Sequence, residues 1–66
     1  MELIINGQTR QVPEPQTLAD VIHHFGLIEK MVVVEHNGNI VSRDQYRNVT
    51  VAAGDKIEIV HFVGGG

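Results

Sequence analysis

The residues best placed to do chemistry in this chain carry no side chain beyond hydrogen. The stretch "HFVGGG", His61 to Gly66, runs an apolar segment into Gly64, Gly65 and Gly66. Glycine loses more backbone entropy on ordering than any other residue, so such a run contributes nothing to a core and is expected to be flexible. It can instead thread a narrow channel in another protein, and from Val63 onward it reaches at most about 14 Å. The reactive group is then the Gly66 carboxylate, with Gly65 and Gly64 giving access. Gly64 is either a swivel or merely tolerated. A carboxylate is a poor electrophile and needs activation, usually as an acyl-adenylate made with ATP. The chain lacks a G-x-x-x-x-G-K-[ST] loop to cradle phosphates, so no bound cofactor is expected and ATP is used by a partner.

Other chemistry is poorly supported. With no cysteine, the chain can form no disulfide, thiolate zinc site, cysteine nucleophile or persulfide. His23 and His24 are adjacent, about 100° apart on a helix, and His36 and His61 show no ligand spacing, so no metal site is expected. Glu35, Asp55 and Glu58 read as solvated strand and turn residues, some of which could meet basic residues of a partner.

At 66 residues the chain is expected to form one domain, residues 1–63, followed by a tail, residues 64–66. Such a domain is too small to enclose a large active site, so it is not expected to be an enzyme. Its apolar fraction of 42% marks a folded chain. Five basic residues against eight acidic ones, with no Lys or Arg run, point away from nucleic acid and anionic membranes and toward a basic protein surface. "MELIING" has no basic stretch leading into a long apolar run, so the cytoplasm is the expected compartment.

The elements that must carry the tail can be read in order. Leu3, Ile4 and Ile5 precede Asn6-Gly7, which suits a type I′ hairpin turn, and Val12 closes a second extended run before Pro13 and Pro15. Thr17 and Asp20 form a capping-box-like pair, and Leu18, Val21, Ile22 and Phe25 make one apolar helical stripe ending at Gly26. Met31 to Val34 read as a third strand, Asn37-Gly38 as a second tight turn, and Ile40-Val41 as its return. Ser42 to Tyr46 is ambiguous and includes a possible single capped turn. Val49 to Val51 reads as a brief strand, and "KIEIVHFV" as the last one. One helix across one face of a small mixed sheet satisfies these stripes, an α+β arrangement of the β-grasp type with the first and last strands side by side in the middle.

Strand alternation puts Ile57, Ile59 and His61 on one face of the last strand and Lys56, Glu58, Val60 and Phe62 on the other. If the isoleucines face the helix, Val60 and Phe62 join Ile4 and a valine of the third strand in an apolar patch on the open face. The alternative is that Phe62 folds over an edge as satellite core.

"KIEIVHFVGGG" closely resembles the C-terminus of the ThiS family of thiamine-biosynthesis sulfur carriers, ubiquitin-like proteins in which a strand of the form E-I-V-x-x-V leads into a glycine pair. The early Asn-Gly hairpin, the capped short helix and "MVVVEHNG" extend the resemblance over essentially the whole chain. It implies that a ThiF-like adenylating enzyme acts on Gly66 with ATP, and that sulfur from cysteine, supplied by a cysteine desulfurase or similar donor, gives a thiocarboxylate. A ThiG-like thiazole synthase then takes the sulfur. Val60, Phe62 and Val63 would help partners grip the base of the tail. The rival readings are the same chemistry for molybdopterin, a thionucleoside or an amino acid, a ubiquitin-like modifier, or a non-covalent β-grasp adaptor.

Overall fold

A computed structural model describes residues 1–62 of the chain. The expected boundary after Val63 therefore lies outside the described residues. Five strands form one mixed sheet: β1 (Glu2–Ile5), β2 (Gln8–Gln11), β3 (Val32–His36), β4 (Asn39–Val41) and β5 (Lys56–His61), in the order β2-β1-β5-β3-β4. β5 is central, parallel to β1 and antiparallel to β3, as the β-grasp expectation requires.

Both hairpins turn where asparagine meets glycine. Asn6 and Gly7 have φ of 50° and 81°, and Asn37 and Gly38 have 50° and 88°, the doubly positive pair of a type I′ turn. That backbone twist matches the right-handed twist of the flanking strands. It also fixes the register, pairing Ile4 with Thr9 and Glu35 with Ile40.

Helix α1 (Leu18–His24) begins with the foreseen capping box. Asp20 Oδ2 accepts the N–H groups of Gln16 and Thr17 at 2.8 and 3.1 Å, and Thr17 Oγ1 accepts the Asp20 N–H at 3.4 Å. Those amide bonds, the Gln16 one foremost, hold the Asp20 carboxyl below its ordinary pKa. The helix stops at Gly26, φ 73°, where the Gly26 and Leu27 N–H groups donate back to His23 and Ile22 in a Schellman closure. A helix of one face and two turns buries Leu18, Val21 and Ile22 against Leu3, Val34 and Ile57 of the sheet.

Two expectations need adjustment. Val49–Val51 is not a strand: the Leu18 N–H donates to the Val49 carbonyl and the Val51 N–H to Gln16, so the segment closes the start of α1, leaving only a Thr17–Thr50 bridge. The third strand begins at Val32, because Glu29–Met31 forms a 3-10 turn. Ser42 precedes a second 3-10 turn, Arg43–Gln45, without a side-chain cap. Beyond it Tyr46 is buried, donating its hydroxyl to the Val32 carbonyl at 3.3 Å, and burial pushes its phenol pKa up.

Candidate functional site

The side chains expected to grip partners are placed by the alternation of β5. Ile57 and Ile59 are buried beneath α1, so Glu58, Val60 and Phe62 face the side of the sheet that no helix covers. Val60 is 59% exposed and Phe62 50%, which rules out Phe62 as satellite core. Val33 of β3 lies directly opposite Val60, and the Phe62 N–H donates to the Met31 carbonyl at 2.7 Å. Ile40 of β4, 75% exposed, adds to the same face from beyond Glu35, and Ile4 is half-buried on β1. The patch is therefore real and slightly wider than the sequence indicated. Val63, Gly64, Gly65 and Gly66 lie outside the described residues.

This face also has a charge pattern. Glu35 and Glu58 are direct cross-strand neighbours, both exposed, beside Val33 and Val60. Like charges placed opposite one another on a sheet destabilise it. A basic surface laid on this face would relieve that repulsion.

β5 is bonded along its backbone by side chains that sequence reasoning treated only as turn formers. Asn6 bonds both the N–H and the carbonyl of Ile59, and Asn37 Oδ1 accepts the Lys56 N–H at 2.9 Å. Aspartate would also suit such turns, but its carboxylate cannot donate, so the choice of asparagine was the available signal at position 6.

The histidines and remaining acids are dispersed. His36 Nε2 and Asp55 Oδ2 are 2.8 Å apart, tying the β3–β4 turn to the turn before β5, and Asp55 also accepts the Ala52 N–H at 2.8 Å. Burial pushes the Asp55 carboxyl up, but the bonds from His36 and Ala52 outweigh it and leave its pKa lowered. His23 Nε2 lies 2.8 Å from Glu29 Oε2, which also accepts from Arg47 at 3.1 Å. His24 stands edge-on to Phe25. Among the described residues no three His, Asp or Glu side chains cluster as metal ligands. Among them, too, no helix is long and apolar enough to cross a membrane.

A central strand pinned at its start and middle, with an apolar and acidic open face and a glycine-rich sequence directly beyond it, defines a small β-grasp protein of the ubiquitin-like class. The ThiS family model matches residues 3–66. A crystal structure of the thiamine biosynthesis protein ThiS from Geobacter metallireducens superposes with a TM-score of 0.81 at 29% identity, covering 100% of both chains. The sulfur carrier protein ThiS of Bacillus subtilis is 44% identical over 65 residues, 97% of this chain and 98% of its own length. A thiazole synthase of Paramagnetospirillum magneticum is 41% identical over all 66 residues, and the chain spans 20% of that protein's length. The chain belongs to the ThiS family.

Proposed function

We propose that this protein is a co-substrate whose Gly66 carboxylate carries sulfur. A carboxylate oxygen of Gly66 attacks the α-phosphorus of ATP on an adenylating enzyme, and pyrophosphate leaves. A desulfurase takes sulfur from cysteine as an enzyme persulfide, whose terminal sulfur displaces AMP from the acyl-adenylate to give an acyl disulfide. A thiol reductant then cleaves the S–S bond and releases the thiocarboxylate on Gly66. Thiazole synthase consumes that sulfur in building the thiazole of thiamine, and the carrier is recharged. All of this is assigned to the cytoplasm.

The observation that carries the reading is the continuity of β5. Val60 near its end and Phe62 just past it are exposed and lead into the sequence that ends in Gly64, Gly65 and Gly66. A partner that covers Val33, Val60 and Phe62 holds the chain four residues before Gly66, so docking energy can serve to bring the carboxylate within its reach. That region-level similarity to a thiazole synthase supports such an enzyme as the sulfur acceptor.

Removal of Gly66 tests the chemistry, and Val60→Ser with Phe62→Ser tests the docking. The deletion should abolish thiocarboxylate formation while leaving the unfolding transition unchanged. The double substitution should raise the KM for the carrier and leave kcat nearly constant, because both residues are exposed and neither reacts. A truncated chain that still acquires sulfur would sink the proposal.

A further inference from the structure

The sequence contains no run of basic residues, yet the fold collects them. Four of the five Lys and Arg residues, but only one of the eight carboxylates, line two adjoining clefts on the helix side of the molecule. Each cleft holds about 410 Å³, and Leu27 is common to both. Arg10 and His61 belong to the first; Lys30, Arg43 and Arg47 belong to the second. The gathering follows from the topology. The β1–β2 turn, the end of α1, the start of β3, the end of β4 and the end of β5 all meet at this end of the sheet.

The one carboxylate, Glu29, is already engaged by His23 and Arg47. Arg43 and Lys30 are exposed and, among the described residues, make no ion pair or side-chain hydrogen bond. Asp44 follows Arg43 in the chain but lines neither cleft. Between the cations lies an apolar ledge: Ile28 is 57% exposed and Leu27 half-buried. The rest of the surface is acidic, including the Glu35–Glu58 pair on the opposite face.

We infer that this belt is a second protein-docking surface, built for an acidic segment that also carries aliphatic side chains. Charge complementarity selects the acids, with the strength of screened surface attraction. The Leu27–Ile28 ledge selects the aliphatic residues. A polyanion such as nucleic acid fits less well, because the cations are spread over two clefts around Glu29 and the whole chain has a net charge of −3. The surface lies on the side of the sheet opposite Val60 and Phe62, so a partner could hold the end of β5 from both faces.

The test uses the full chain labelled with ¹⁵N and three probes: a short acetylated peptide of glutamate and leucine, the same peptide with lysine for glutamate, and inorganic phosphate. The acidic peptide should give saturable shifts at the amides of residues 27–30, 43 and 47, weakening several-fold as salt is raised to physiological strength. Lys30→Glu with Arg43→Glu should weaken that binding several-fold while the rest of the spectrum stays dispersed and unmoved. The inference is overturned if the acidic peptide gives no saturable shifts there. It is equally overturned if the lysine peptide or phosphate gives the same shifts at the same concentrations, or if the double variant binds as tightly.

Discussion

Asn6 holds both backbone polar groups of Ile59: Oδ1 accepts the Ile59 N–H at 2.7 Å and Nδ2 donates to the Ile59 carbonyl at 3.1 Å. β1 has ended at Ile5, so a side chain takes over the ladder where the strand gives out. The central strand is thus bonded on its β1 side beyond the point where backbone pairing stops, two residues before the start of the C-terminal stretch at His61.

Loss of that latch is expected to loosen the end of β5. Asn6→Gly keeps the positive φ of the turn but removes both bonds at a half-buried site, which should cost about 1–2 kcal/mol. Urea unfolding gives the energy, and hydrogen exchange at the Ile59 amide gives the location. Unchanged exchange at Ile59 would show that the latch is incidental.

The capping box makes an unequal pair. Thr17→Ala removes one long bond at 3.4 Å and should cost about 0.5–1 kcal/mol, whereas Asp20→Ala removes two shorter ones and their interaction with the helix dipole. Thermal denaturation should therefore rank Asp20→Ala below Thr17→Ala. The reverse order would contradict the geometry.

Acid should unfold the protein partly through Asp55. Its folded pKa lies below the ordinary value of 3.8, so its contribution is fully present above that value and is lost as pH falls through the lower, folded one. Asp20 acts in the same sense. A chain with Asp55→Asn is expected to show a shallower fall in stability below about pH 4 than the native chain, read from urea midpoints across pH. An identical slope would mean that the His36–Asp55 contact does not persist in solution.

Glu58→Gln should act in opposite directions on stability and docking. Removing the repulsion with Glu35 should stabilise the free domain by roughly a few tenths of a kcal/mol. If the open face meets a basic partner, the same change should slow association with the adenylating enzyme and flatten its salt dependence. Equal stability together with an unaltered rate would argue against both roles of the pair.

Local signals carried most of the fold. Two Asn-Gly dipeptides, the Thr17–Asp20 cap and the alternation through Ile57 and Ile59 act over a few residues, so they could be read directly. Val49–Val51 misled because its β-branched residues suit a strand, while its carbonyls and amides are used by the first turn of α1. The open-face patch followed from strand phase alone, although Ile40 needed the β3–β4 register to join it. The basic belt was invisible, since Arg10, Lys30, Arg43 and Arg47 are dispersed in sequence and reach two adjoining clefts, joined through Leu27, only once the sheet is assembled. The latch from Asn6 spans 53 positions, and its one local trace was asparagine rather than aspartate at position 6.

The most direct test of the sulfur-carrier account is the intact mass of the chain after incubation with ATP, cysteine, a cysteine desulfurase and the adenylating enzyme. Fragmentation of residues 63–66 then locates any change. The account predicts one oxygen replaced by sulfur at Gly66, dependent on ATP and absent when Gly66 is deleted. An unmodified Gly66 alongside a control carrier that the same enzymes charge would contradict it and leave a β-grasp domain that acts through its surfaces alone.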